Sequence, residues 1–273
     1  MEEDHQQKVI LVTGASSGFG QAFVEKFAAN GYKVYGTSRN ACYTENDGVK
    51  MIPMDITDND SITEAFNYIL GESGSIDILV NNAGFGISGS IEDTSIEEAK
   101  ALFDTNFFGT HRLCRAVIPF MRNQGQGHII NIGSLGGLVS IPFQAFYSAS
   151  KSALASLSDG LSMELQPYSI KVTRIEPGDY KTGFTAARIM VEKSGHGSIY
   201  DVRCKRAISI MEHDEQNGAD SKHLAAKVLE IAESSNPKLV YREGMFTQKF
   251  LIGLLNYLPD RFVQKILMNT YGI

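Results

Sequence analysis

Tyr147 and Lys151 are separated by three residues, so on a helix they share one face, one turn apart. A phenol has an ordinary pKa of about 10 and is a poor acid or base at neutral pH. A close ammonium favours the phenolate, by roughly one to three units. A phenol tuned in that way can exchange a proton with an alcohol or carbonyl oxygen. Ser134, at the head of the same stretch, offers a hydroxyl that can polarise that oxygen from the other side. The competing reading is an ordinary exposed helix pair. Y-x-x-x-K alone does not separate the two; the elements around the pair must.

Residues 8–13 include V-I-L-V, a β-rich apolar run suited to a strand buried on both faces. T-G-A-S-S-G-F-G follows, with glycines at 14, 18 and 20 and Ser16, Ser17 and Phe19 between them. Residues 21–30 then read as a helix closed by Gly31, and residues 32–37 as a second strand, which together make a right-handed βαβ unit. Glycine lets the turn approach a ligand with no Cβ in the way. The helix that starts there offers unpaired N–H groups and a positive dipole end to a pyrophosphate. Two other patterns compete. Gly84, Gly86 and Gly89 spell G-x-G-x-x-G, but the next helix begins only near Thr94 or Ser95. Gly14 to Gly18, around Ser16, spells the G-x-S-x-G nucleophile elbow of hydrolases. That fold needs several strands before the elbow, whereas Ser16 follows the first. His196, His213 and His223 stand in polar or helical contexts with no orienting signature.

The second strand ends at Ser38 and Arg39, with no acid at either position. Dinucleotide enzymes that use NAD place an acid there for the ribose 2′-hydroxyl. A guanidinium suits a 2′-phosphate instead, so NADP(H) is favoured. Residues 49–54 read as a third strand running into Asp55-Ile56-Thr57-Asp58, whose side chains suit the cap of a helix over 61–70. A fourth strand, 76–80, ends in N-N-A-G. Asn82, Ala83 and Gly84 there would let a cofactor lie close to the backbone. A helix over 95–123 carries Asn106 among Phe103, Phe107 and Phe108, so its amide must find buried partners. A fifth strand, 128–133, ends at Ser134, and the helix bearing Tyr147 runs to about 166. A sixth, 170–175, ends at Glu176-Pro177-Gly178. Each candidate group falls at the carboxyl end of a strand or on the helix beside it, where open α/β sheets bind ligands. The expected fold is α/β, a Rossmann-type doubly wound parallel sheet in a single domain covering 1–273.

Residues 185–219 lose the strand and helix rhythm and read as a substrate lid. Residues 220–233 read as a capped helix and 238–241 as a short last strand. The C-terminal extension, 245–273, mixes apolar and charged residues and is broken by Pro259. It fits a membrane-surface element less well than packing on the pocket or on a neighbouring subunit, because its charges form no basic face.

The 273 residues are 43% hydrophobic and 21% charged, in the range of a globular enzyme. A net charge of −6 gives nucleic acid no electrostatic footing. Cys42, Cys114 and Cys204 are far apart and indicate neither a metal site nor a disulfide framework. The polar N-terminus is no secretory signal. No apolar run approaches the roughly 18 residues of a membrane span, so no integral membrane segment is expected and a cytoplasmic setting is.

Taken together, these motifs resemble the short-chain dehydrogenase/reductase family over residues 8–183. T-G-A-S-S-G-F-G is similar to that family's T-G-x-x-x-G-x-G, and N-N-A-G and Y-x-x-x-K follow in order. Asn106, Ser134 and Pro177-Gly178 occupy matching places. The resemblance implies a tetrad in which Tyr147 is the acid/base, Ser134 positions the substrate oxygen, and Asn106 holds a water in a proton relay. By the same resemblance Lys151 binds the nicotinamide ribose and lowers the tyrosine pKa. It puts Asp55, with Ile56, beside the adenine, Asn82 to Gly84 along the ribose, and Pro177, Gly178, Tyr180 and Thr182 on the nicotinamide side. S-L-G-G-L-V-S-I-P-F and G-Y-K-V-Y-G-T-S-R-N further resemble 17-beta-hydroxysteroid and retinol dehydrogenase-like members. The implied activity is NADP(H)-dependent interconversion of a hydrophobic alcohol and its ketone or aldehyde, with a steroid-, retinoid- or lipid-like substrate. Phe143, Phe146 and Phe184 fit an apolar substrate, and a homodimer or homotetramer is expected. A silent dinucleotide-binding sensor or scaffold is the alternative; an intact tetrad argues against it.

Overall fold

The structure, a computed structural model, describes residues 7–183, 187–195, 197–255 and 257–273. Its centre is β1 (Val9–Thr13), five residues of which every one is buried. β1 lies between two parallel partners, β2 (Lys33–Ser38) and β5 (Ile78–Asn81). Outward from β2 come β4 (Val49–Pro53) and β3 (Thr44–Asn46); outward from β5 come β7 (Gly127–Ile132), β8 (Ile170–Pro177) and β12 (Val240–Glu243). The eight-stranded order β12-β8-β7-β5-β1-β2-β4-β3 reverses direction at β1, which opens a crevice between the carboxyl ends of β1 and β5. All pairings in this sheet are parallel except that of β3 with β4.

The period of two along β1 builds two cores. Ile10 and Val12 face Phe23, Val24 and Phe27 of α1 (Gly18–Ala28) and Leu224 and Val228 of α7 (Ser221–Glu233). Val9 and Leu11 face Ile62 and Phe66 of α2 (Asn59–Ser73), Leu113 and Val117 of α4 (Thr110–Gln124), and Leu165 of α5 (Ala145–Leu165). Each fully buried Phe or Leu contributes about 1.5–3 kcal/mol by leaving water. Helices on both faces explain why β1 carries no polar alternation. Asp220 caps α7 as expected, accepting from the Lys222 amide at 2.8 Å.

Thr44–Asn46 forms a strand that its exposed polar residues do not announce. Two expectations need correction. The helix expected over 95–123 is three pieces. α3 (Ile96–Phe103) is opened by a capping box between Ser95 and Glu98, a π-helical turn covers Asp104–Gly109, and α4 follows. The described residues between 187 and 219 are not irregular: α6 (Asp201–Gln216) spans much of them and buries Cys204, Ala207, Ile208 and Met211. Two short parallel ladders tie this region to the body, β10 (Ile189–Met190) on β6 (Ile87–Ser88), and β11 (Ala219–Asp220) on β9 (Tyr180–Lys181). The C-terminal extension holds α8 (Phe246–Leu255) and α9 (Asp260–Thr270). Among the described residues, no helix is long and apolar enough to cross a membrane.

Candidate active site

The ends of β1 and β5 are stitched together by side chains. Thr13 Oγ1 accepts from the amides of Asn82 and Ala83 at 3.1 and 3.0 Å. Asn82 Nδ2 donates to the carbonyls of Thr13 and Gly14 at 2.9 and 3.2 Å. Gly14 takes φ +66°, and a Cβ there would stand 2.9 Å from Ala83 Cα. A Cβ on Gly20 would overlap the Gly14 carbonyl oxygen and come 2.7 Å from Asn82 Nδ2. Only glycine permits this approach of helix to turn. Ser17, at the start of α1, makes no side-chain cap bond, so first-turn N–H groups of α1 are left for an anion.

At the far end of the same wall stand Ser38, Arg39, Asp55 and Ile56. Asp55 is fixed by Thr57, whose amide and hydroxyl donate to its Oδ1 at 2.8 and 2.7 Å. Burial alone would raise the Asp55 carboxyl; the Thr57 bonds and the charges of Arg39 and Arg112 outweigh it and hold the carboxyl below the usual range. Arg39 is exposed at this rim.

Ser134 follows β7 in extended conformation, and its Oγ accepts from the Gly136 amide at 2.9 Å. That hydroxyl also hydrogen-bonds the Tyr147 phenol. Tyr147 and Lys151 are 8% and 7% exposed, so the reading of an exposed helix pair fails. Lys151 Nζ donates to the Ile132 carbonyl at 2.9 Å and stands 5.9 Å from the Tyr147 ring centroid. The expected electrostatics are corrected here. Burial pushes the Tyr147 phenol up to about 12, with Glu215 and Asp179 raising it further and Ser134 and Arg188 opposing. Burial pulls Lys151 down to about 8. The low-dielectric setting, not the ammonium, dominates both groups.

Asn106 lies in the π turn, 1% exposed. Its Oδ1 accepts from the Phe85 amide at 3.0 Å, and its Nδ2 donates to the Phe85 carbonyl at 2.9 Å and to Ser150 Oγ at 3.3 Å. A Cβ on Gly84 would meet Asn106 Oδ1 at 3.0 Å and Lys151 Nζ at 3.7 Å, so the four tetrad positions converge on one place.

One cavity of about 490 Å³ runs from Arg39 to Tyr147. Of the expected catalytic and cofactor-binding residues, all but Gly20 and Asn106 line it. Gly20 is spent on packing the turn and Asn106 on holding the Phe85 backbone. Phe143 and Phe146 do not line it: the Phe143 carbonyl accepts from the Gly89 amide at 2.9 Å, and Phe146 packs against the cluster of Ile87, Leu102 and Val191. Phe184 and His196 lie outside the described residues.

The lining also includes groups that the sequence motifs missed: Phe85, Ile141, Gln144, Asp179, Ile189 and Glu215. Asp179 directly follows Pro177-Gly178, a usable signal; Glu215 comes from α6 and had none. Asp179 is tied to α8, its amide donating to Gln248 Oε1 at 3.2 Å and its carboxylate accepting from Gln248 Nε2. Burial pushes the Asp179 carboxyl up to about 6, with Glu215 and Asp214 adding to the rise and Gln248 and Arg188 opposing it. The extension thus packs on the cavity wall. Arg188 pairs with Glu215 through Nη2 and stands 3.8 Å from Glu212.

Residues 8–192 match the family model described as short chain dehydrogenase. The chain is 40% identical over 269 residues to 3-ketodihydrosphingosine reductase of Bacteroides thetaiotaomicron, covering 98% of this chain and 99% of that one. A short-chain dehydrogenase from Streptomyces avermitilis superposes with a TM-score of 0.81 at 34% identity, over 94% of each chain. Serine dehydrogenase complexed with NADP+ aligns at TM-score 0.75 and 27% identity, over 88% of this chain and 95% of that one. The 3-ketoacyl-(acyl-carrier-protein) reductase of Brucella melitensis, complexed with NADH, aligns at 0.72 and 25%, over 87% and 96%. These two neighbours hold different nicotinamide cofactors.

Proposed function

The chain belongs to the short-chain dehydrogenase family, and on that premise we propose that it is an NADP(H)-dependent oxidoreductase that interconverts a hydrophobic alcohol and its ketone or aldehyde. The observation that carries the reading is the buried Tyr147 phenol, hydrogen-bonded to Ser134 within the same cavity as the glycine turn. The dinucleotide fits the residues present: the Gly14 and Gly20 cradle would be filled by a Cβ, and α1 opens without a side-chain cap. Gly14, Ser16, Ser17, Gly18 and Phe19 would hold its pyrophosphate. Arg39 would hold its 2′-phosphate, Asp55 and Ile56 its adenine, Asn82 to Gly84 and Lys151 its riboses, and Pro177, Gly178, Tyr180 and Thr182 its nicotinamide. Arg39, with no acid beside it, favours NADP(H) over NAD(H). When bound, that group supplies or accepts the hydride.

The chain's residues handle the proton. Tyr147, held protonated by its burial, donates its phenolic proton to the carbonyl oxygen as that oxygen gains charge. Ser134 donates to the same oxygen and orients it. Lys151 brings positive charge to the tyrosinate left behind, and Asn106 holds the Phe85 backbone that borders the substrate, with a relay water beside it. The name of the Bacteroides relative supports a long-chain lipid ketone as the substrate class, and Phe85, Ile141 and Ile189 suit its apolar part. Residues 185–219 act as the lid. A cytoplasmic homodimer or homotetramer completes the reading.

Fluorescence titration with NADPH and NADH, followed by reduction of long-chain ketones at saturating cofactor, tests it. NADPH-selective binding and turnover are expected. Binding of neither dinucleotide would overturn the reading.

A further inference from the structure

The C-terminal extension has two faces. Its inner face packs on the cavity wall: Gln248 of α8 holds both the amide and the carboxylate of Asp179, and Leu255 is buried. Its outer face is apolar and open. Phe246, Phe250 and Leu254 recur at every fourth residue of α8 and are all exposed, Phe246 at 78%. Tyr257 follows at 87%, and Phe262 of α9 is exposed as well. The Phe246 and Phe250 rings stack with centroids 6.1 Å apart, so these side chains form a ridge. Single exposed apolar residues are ordinary, whereas a contiguous row of them marks a surface that meets something.

Charge indicates what it meets. The whole chain has 25 basic and 31 acidic residues, yet between 245 and 273 Lys249, Arg261 and Lys265 stand against a single acid, Asp260. Arg261 and Lys265 are both exposed on α9, one turn apart and so on one face. Lys249 is half-buried, 3.8 Å from Glu243. Among the described residues, Tyr257, Phe246 and Phe250 are the three most exposed aromatic side chains. An acidic protein thus carries local positive charge in the same segment as its most exposed rings. A two-fold pairing of copies through this surface would bring the same basic groups into one interface. Anionic lipid headgroups have the complementary charge, and the acyl region beneath them takes the rings.

We propose that α8 and the start of α9 form a docking surface for an anionic lipid bilayer. Phe246, Phe250, Leu254, Tyr257 and Phe262 enter the boundary between headgroups and acyl chains, and Arg261 and Lys265 meet the headgroups. α8 has 10 residues, too few to span a bilayer, so the contact is peripheral. Docking does not rest on the oxidoreductase reading. It does place the cavity: α8 is at once the helix on the bilayer and, through Gln248 and Asp179, a support of the cavity wall. The site is thereby held close to the lipid surface.

The sequence contains no tryptophan, so Phe250→Trp places one reporter on the ridge. The full-length protein is mixed with vesicles of phosphatidylcholine alone, or of equal parts phosphatidylcholine and phosphatidylglycerol. Binding is read by cosedimentation and by tryptophan emission. Sedimentation with the anionic vesicles and a blue shift of emission are expected, with binding at least about tenfold weaker without phosphatidylglycerol or at high salt. Phe246→Ser combined with Phe250→Ser should weaken binding about tenfold or more by removing apolar contact. Arg261→Glu combined with Lys265→Glu should do the same through charge. The wild-type and Phe250→Trp measurements involve no disruptive change, so a poorly folded variant cannot mimic the result. Wild-type protein that stays in the supernatant with both vesicles, or binding undiminished in both double variants, would overturn the bilayer assignment. A dimer that dissociates on the double serine change while no vesicle is bound would overturn it too, and would assign the ridge to a second copy.

Discussion

The cavity has two ends built by different means. Around Gly14, Asn82 and Ala83 the wall is backbone, locked by the Thr13 hydroxyl and the Asn82 amide across two adjacent parallel strands. Around Asp179 and Glu215 the wall is side chains, brought from β8, α6 and α8 and held by Gln248, Arg188 and ladders of two residues each. The glycines and the Thr13 and Asn82 side chains that hold this backbone leave little to exchange, so the first end is suited to a ligand that does not vary. Side chains can be exchanged one at a time, so the second end is where a change of substrate can be accommodated. The short ladders also make that end the less stable of the two to local opening.

Four substitutions probe the contrast. Tyr147 stands where the ends meet, and Tyr147→Phe should lower kcat by about a thousandfold, the scale of a lost general acid. Dinucleotide affinity measured by fluorescence should persist, and retained turnover would remove the tyrosine from the proton step. Gly20→Ala attacks the backbone end. Its Cβ meets the Gly14 carbonyl and Asn82, so nicotinamide fluorescence should report loss of binding by about a hundredfold. Thermal unfolding should show a loss of about 1–3 kcal/mol from overpacking. Arg39→Ala removes a side chain from that same end. It should weaken NADPH about tenfold and NADH little; equal losses would detach Arg39 from the phosphate.

Gln248→Ala acts at the side-chain end and should be mildest, a few-fold in KM. Gln248 donates to the Asp179 carboxylate and so favours its charged form. Without that donor the carboxyl, already raised to about 6, rises further and is protonated at higher pH. The acid limb of kcat/KM should therefore move to higher pH while the NADPH titration stays put. An unmoved limb would separate Asp179 from substrate binding.

Legibility in the sequence follows the same division. V-I-L-V followed by glycines, N-N-A-G at a strand end, and Ser134 ahead of Tyr147 are local patterns whose geometry is set within a few residues, and each lies where expected. Asp179 and Glu215 meet only through the docking of α6 and α8, which no local pattern specifies. α6 does carry a helical period in Cys204, Ala207, Ile208 and Met211. That narrow stripe sits among Arg203, Lys205, Arg206, Glu212 and Asp214, so the region reads as polar and irregular. Thr44–Asn46 is a strand only because β4 offers it an edge. The tyrosine pKa was misjudged for a related reason: spacing shows that Lys151 is near, but not that its ammonium is turned to the Ile132 carbonyl.

The π turn at Asp104–Gly109 has a bearing on how this segment tolerates changes of length. Such a turn accommodates one residue more than an α-helical turn, closing i to i+5 instead of i to i+4. Deleting a single residue there would yield a more regular helix at no local cost. Because the wide turn has already absorbed the extra residue, Leu113, Val117 and Met121 would still face the core that they fill. What the deletion would remove is the local widening that carries Asn106 to the Phe85 backbone. The length of this segment is therefore set by the placement of Asn106 and not by the packing of α4.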